Sequence, residues 1–197
     1  MTTYDEYTVK VGNDGSVKWM LKGVLHNPNG PAVITADGIK YWYKYGKLHR
    51  LDGPAIEYPS GAYAWYKDDR LHRKGGSAVC TGEYVKYYRK GKLHRKDGPA
   101  VVQTSGYERY YRKGKLHRKK GPAIFNPQGA CYRYRKGKIH CAYGPAVTYK
   151  GGGFMYYRKG LIHRTDGPAV STNSGNLYWY LQGNHYTEKE FNRVKPA

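Results

Sequence analysis

Acidic side chains are scarce in this sequence. Its 197 residues hold 14 Asp and Glu against 35 Lys and Arg, a formal net charge of +21. A chain this basic suits anionic company: nucleic acid, nucleotides, acidic lipid head groups or an acidic protein. Cysteine is scarcer still. Cys80, Cys131 and Cys141 are odd in number and form no CxxC pair. Neither a disulfide framework nor a zinc site is supported, and a reducing compartment is expected. No apolar run is long enough to span a membrane, and Met1 to Glu6 lack the apolar stretch of a secretory signal. The expected location is cytoplasmic or nuclear, neither secreted nor transmembrane. Helical periodicity is missing from residues 17–185. Leu, Ile, Val and Phe are few, while Tyr reaches 23 and Gly 26. Aromatics are expected to replace the missing aliphatic core.

The chain does have a period. All eight histidines, His26, His49, His72, His94, His117, His140, His163 and His185, are separated by 22 or 23 residues. A fixed spacing of this size marks a repeat architecture. Three residues before the histidine lies Gly23, Gly46, Gly91, Gly114, Gly137 or Gly160, with Asp69 the one substitute. That glycine, between two strand-like runs, signals a tight turn with positive φ. Leu or Ile precedes the histidine in seven repeats. Gly-Pro-Ala follows it in most, and then a β-branched residue, as in Val33, Ile56, Val101 and Ile124. After a further turn comes an aromatic run. It carries one column of Trp19, Trp42, Trp65, Tyr87, Tyr110, Arg133 and Tyr156, and a second of Met20, Tyr43, Tyr66, Tyr88, Tyr111, Tyr134 and Tyr157.

Each repeat therefore reads as one β-hairpin, and the fold as all-β: an open array of about eight stacked hairpins over residues 17–185. Residues 1–16 read as a lead-in strand with a turn at Gly12 to Gly15. Residues 186–197 read as a cap. There Thr187 and Glu190 fit a capping box, with Phe191 and Val194 packing a short helix on the last hairpin. The two aromatic columns would lie on opposite faces, one core and one partly exposed.

The near-23-residue period, the Tyr-rich hairpin and the Gly-x-x-His core resemble MORN repeats. His-Arg-x-Asp-Gly-Pro-Ala, as at His49 to Ala55, His94 to Ala100 and His163 to Ala169, replaces the usual Gly-x-Gly. The form is similar to variants in large DNA viruses and phages. The resemblance implies a single layer of hairpins that scaffolds or binds, with protein or acidic-lipid partners, and no enzyme.

The residues point the same way. No Ser/His/Asp or Cys/His set stands apart from the repeat, and Gly151-Gly152-Gly153 sits in a hairpin turn rather than before a helix. No cofactor is expected. Equivalent histidines would lie about 10 Å apart, too far to share a metal; each is expected to brace its own turn. Asp52, Asp97 and Asp166, before Gly-Pro, are expected to cap local N–H groups.

Charge is the uneven feature. Residues 1–85 hold 11 basic and 9 acidic side chains, residues 86–140 hold 17 and 2, and residues 141–197 hold 7 and 3. The candidate anion-binding set is Tyr87, Arg89, Lys90, Lys92, Arg95, Lys96, Tyr110, Arg112, Lys113, Lys115, Arg118, Lys119, Lys120, Arg133, Arg135, Lys136, Lys138 and Arg158. Arginines beside tyrosines can pair phosphates and stack bases. By strand alternation, Arg89, Arg112, Arg135 and Arg158 would share the face of the first column, and Lys90, Lys113, Lys136 and Lys159 the opposite face. The leading expectation is a non-enzymatic binder of nucleic acid or a polyanionic nucleotide. The rivals are a protein-interaction scaffold, such as a viral or phage inhibitor of a host factor, and an acidic-lipid binder; pairing of two arrays into a homo-oligomer is compatible with each.

Overall fold

The structure is a computed structural model and describes residues 6–196. The regular structure of the described residues is all β-strand apart from one short helix at the C-terminal end. The chain divides into two compact units, Met1–Leu93 and His94–Ala197, a boundary that falls inside the fourth repeat.

In the first unit the lead-in strand Tyr7–Val11 pairs antiparallel with Val17–Leu21. The turn between them closes through Gly15 N–H to the Gly12 carbonyl. The ladder continues through Val33–Ile34, Lys40–Tyr41, Ile56–Glu57, Tyr63–Ala64, Val79–Cys80 and Tyr84–Lys86. The second unit repeats the pattern from Val101–Gln103 through Glu108–Arg109, Ile124–Phe125, Cys131–Tyr132, Val147–Thr148, Phe154–Met155 and Val170–Ser171 to Leu177–Leu181. Each unit is thus an open sheet of antiparallel hairpins, and Met1 to Asp5 of the expected lead-in lie outside the described residues.

A repeat holds two hairpins, not one. The aromatic run breaks at its first column. Trp42 donates its N–H to the Ala55 carbonyl and accepts from His49 N–H. Beyond the break, Tyr43–Lys44 pairs with Lys47–Leu48 in a separate two-stranded ribbon. Tyr110 does the same with Ala123 and His117, before the ribbon of Tyr111–Arg112 and Lys115–Leu116. Such a ribbon forms in every internal repeat.

The aromatics are not the core. Ala32, Ala55, Ala78, Ala100, Ala123, Ala146 and Ala169 are fully buried, flanked by Val33, Ile56, Val101 and Val147. Both aromatic columns are only half-buried in most repeats. The reason is the corner itself. Each alanine stands where two hairpins meet, and in six of the seven, Ala32, Ala55, Ala78, Ala123, Ala146 and Ala169, both backbone groups are bonded within the unit, so the chains approach too closely for a larger side chain.

The terminal helix Glu188–Val194 starts as expected. The Thr187 side chain accepts from Glu190 N–H, and the Glu190 carboxylate accepts from Thr187 N–H. Phe191 is buried to 1% exposure, but Val194 is 52% exposed and packs nothing away. Val194 shares the face of Phe191 but is the last residue of a seven-residue helix, so only the turn that carries Phe191 is packed.

Candidate nucleic-acid interface

The site is built on the ribbon tips. Their two-residue turns have positive φ at both positions: Lys113 at 50° and Gly114 at 80°, Lys136 at 51° and Gly137 at 86°. This is the turn type that matches strand twist. It also ends strand alternation at the arginine. Lys113 and Lys136 therefore do not face away from the first column; they line the same cleft as Tyr110 and Arg112. Across each ribbon Arg89 opposes Lys92, Arg112 opposes Lys115, and Arg135 opposes Lys138. Like charges directly opposite cost roughly 0.2–1 kcal/mol. Lys44 also opposes Lys47 in the first unit, so this crowding belongs to the repeat. What the fourth to sixth repeats add is a third cation in the turn.

The histidines join successive repeats rather than bracing their own turns. His94 Nδ1 accepts from Lys113 N–H at 3.0 Å, His117 from Lys136 at 3.2 Å, His140 from Lys159 at 3.2 Å and His163 from Gln182 at 3.1 Å. In the first unit His26 accepts from Tyr45 N–H and His72 from Lys90 N–H. The next turn residue donates backward as well: Gly137 N–H to the Leu116 carbonyl, Gly160 N–H to that of Ile139. The turn thus spends both its N–H groups on the preceding repeat. The third repeat departs from this. Its turn is Asp68-Asp69, and the Asp68 carboxylate meets His49 Nδ1 at 2.7 Å. That hydrogen bond holds the Asp68 carboxyl below its usual range.

An accepting Nδ1 is unprotonated, so these rings work as neutral imidazoles. Burial, then neighbouring Arg and Lys, push His72, His117 and His140 below the ordinary 6.5, and burial with Arg158 does so for His163. The unfolded chain then takes up protons more readily than the folded one once the pH passes below 6.5. Thermal stability is expected to be level from pH 8 to about 7 and to fall steadily towards pH 5, above the range where carboxylates titrate. A melting temperature that held constant across that interval would contradict the neutral-acceptor role.

Where an arginine follows the histidine, as in the second to fifth and seventh repeats, it serves the fold. Arg50, Arg73, Arg118 and Arg164 stack over Trp42, Trp65, Tyr110 and Tyr156 at 4.1, 4.1, 3.8 and 4.2 Å from the ring centroid. The same guanidinium donates to the carbonyl just before the core alanine, as do Arg118 to Pro122 and Arg95 to Pro99. In the first repeat the Asn27 amide donates to Pro31. In the sixth, Cys141 takes the arginine's place, and Arg133, from the aromatic column, donates to Pro145 at 3.0 Å. In the second and third repeats the glycine before Pro54 or Ser77 makes room for this group. A Cβ at Gly53 would lie 2.5 Å from Arg50 Cζ, and one at Gly76 2.8 Å from Arg73 Cζ. Two of the aspartates receive the same side chain: Asp52 and Asp166 accept from Arg50 and Arg164 Nε at 3.3 and 2.7 Å, and the Asp166 carboxylate also accepts from its own backbone N–H.

Within the second unit a cleft of about 1200 Å³ runs between the fourth and fifth repeats. Arg95, Lys96, Arg112, Lys113, Lys115, Arg118, Lys119, Lys120 and Lys136 line it, with His94, His117 and Tyr110; Asp97 is the one carboxylate. Ten of the eighteen sequence candidates thus meet there. Lys96, Lys113, Lys115, Lys119, Lys120 and Lys136 are exposed, whereas Arg112 is half-buried and donates to the Lys96 carbonyl at 3.1 Å. Of the other candidates, Arg135, Lys138 and Arg158 are exposed elsewhere on the second unit and Arg133 is spent on Pro145. Tyr87, Arg89, Lys90 and Lys92 belong to the first unit, where the two lysines and Arg89 are exposed.

Sequence reasoning missed the structural use of Arg95, Arg118 and Arg133. The signal was present: the one repeat with an arginine in the aromatic column, the sixth, also has Cys141 where five other repeats carry the arginine after histidine. The first unit has a smaller cleft of about 440 Å³ at matching positions, with Tyr45 and Leu51 where Lys113 and Lys119 stand in the second. Among the described residues no cluster of His, Cys, Asp or Glu could hold a metal ion, and no helix is long and apolar enough to cross a membrane. Comparison with known proteins found no matching family model and no matching curated protein.

Proposed function

We propose that the second unit binds nucleic acid, without catalysis, through phosphate contacts in the cleft between the fourth and fifth repeats. The observation that carries this reading is the lining of nine cationic side chains against one carboxylate. Such a lining concentrates positive potential and draws phosphates while releasing counterions. Six exposed lysines supply mobile charge, and the ribbon tips already crowd like charges that a bound anion would relieve. Affinity is expected to be tolerant of sequence and steeply dependent on salt. Four or more phosphates engaged would give log K against log salt a slope of about −3 to −4 or steeper. A titration from about 0.05 to 0.5 M salt that left oligonucleotide binding unchanged would remove the proposal.

A second reading rests on the first unit. Tyr45 and Leu51 are 62% and 69% exposed beside its small cleft, and apolar side chains so placed are suited to a protein partner. Stoichiometric capture of one protein after nuclease treatment, lost in the Tyr45→Lys, Leu51→Lys double variant, is the outcome this reading expects.

A further inference from the structure

We infer that the cleft of the second unit recognises phosphate groups alone, so that a base-free inorganic polyphosphate chain occupies it on equal terms with nucleic acid. This rests on the phosphate-binding reading above and narrows it. Base recognition needs an open ring face or a matched set of donors and acceptors. The cleft provides little of either. Tyr110, its one tyrosine, already carries the Arg118 guanidinium 3.8 Å from its centroid, and its hydroxyl donates to Glu108 at 3.2 Å. The other two rings, His94 and His117, are half-buried and held at Nδ1 by the N–H groups of Lys113 and Lys136.

That same bond fixes what the imidazoles offer. With Nδ1 accepting, the neutral ring keeps its proton on Nε2 and has only a donor left. The rest of the lining is equally one-sided. Ammonium and guanidinium groups donate and never accept, and Asp97 is the sole carboxylate. A base edge, which mixes donors with acceptors, finds few partners here. A phosphate needs only donors, which the exposed lysines of the lining supply, and charge-assisted bonds of this kind are the strong ones. Lys120 sharpens the case, since it stands where the second, fourth and seventh repeats keep Asp52, Asp97 and Asp166. The substitution removes an acceptor from the cleft and adds a cation.

The test is competition on the full chain with a fluorescently labelled single-stranded oligonucleotide. The competitors are unlabelled oligonucleotide, inorganic polyphosphate and polyglutamate, at equal numbers of anionic groups. Polyphosphate is expected to displace the probe within about threefold of the oligonucleotide's concentration, and polyglutamate to need about tenfold more or worse. Polyphosphate weaker than the oligonucleotide by tenfold or more would show that bases contribute and overturn the inference. Polyglutamate as effective as polyphosphate would overturn it as well, because charge alone would then suffice. If the oligonucleotide fails to bind, the nucleic-acid reading is lost, and calorimetry with polyphosphate decides the rest: binding sustains phosphate recognition, and no heat of binding ends it.

Discussion

Replacing Lys113, Lys119 and Lys120 together by Tyr, Leu and Asp is expected to weaken oligonucleotide binding about 100-fold near physiological salt, roughly 2.7 kcal/mol. The melting temperature should move by no more than a few degrees. The replacements are those the protein already uses at matching positions of its second repeat, Tyr45, Leu51 and Asp52. The backbone there is the same: φ is 48° at Tyr45 and 50° at Lys113. All three lysines are exposed, so no packing is lost. Three cations disappear and one carboxylate is added, and every phosphate that goes unneutralised as a result should flatten the salt slope by about 0.7–0.9. A companion Lys→Arg triple variant keeps the charge and should keep the affinity. Binding within threefold of the parent in the Tyr/Leu/Asp variant would place the interface elsewhere. A matched fall in stability and binding would mean that the lysine stems support the sheet.

The largest stability effect is expected at the other end of the second unit. Among the described residues Phe191 is the largest side chain buried to below 2% exposure. It holds a helix of seven residues, far too short to persist unpacked. Phe191→Ala should cost about 3–5 kcal/mol locally. In an open repeat sheet stability is close to a sum over neighbours, so the loss should stay near the end. The helix packs on the strands Leu177–Leu181 and Asn184–Tyr186, and its release would uncover them to other chains. Hydrogen exchange should accelerate over residues 177–194 and not over the Ala123 corner, with light scattering rising on storage. Unchanged protection in Leu177–Leu181 would show that the helix is not what covers that strand pair.

Much of this was legible from residue types. The period came from histidine alone, the turns from glycine spacing, and the helix start from Thr187 and Glu190. The cationic cleft was legible in part. Lys113, Lys119 and Lys120 could be picked out because the near-neutral early repeats show what those positions hold otherwise. The arginines could not be sorted the same way. Arg112 and Arg118 lie six residues apart in one basic stretch, yet Arg118 covers a tyrosine ring and bonds Pro122 while Arg112 reaches back to Lys96. Charge is a property of the residue; where a long side chain spends it depends on what lies within reach.

The sequence by itself determined that this is a β-hairpin repeat with a capped end and with positive charge gathered in its middle repeats, because local propensity and turn chemistry act over a few residues. Only the tertiary structure decided three further things. It made alanine the core, since the corner where two hairpins meet leaves room for nothing larger. It carried the hydrogen bond of seven histidines into the following repeat, 18 or 19 residues on. It also brought the turn lysines onto the same side as the strand arginines, because two consecutive positive-φ residues reverse the direction that strand alternation would assign.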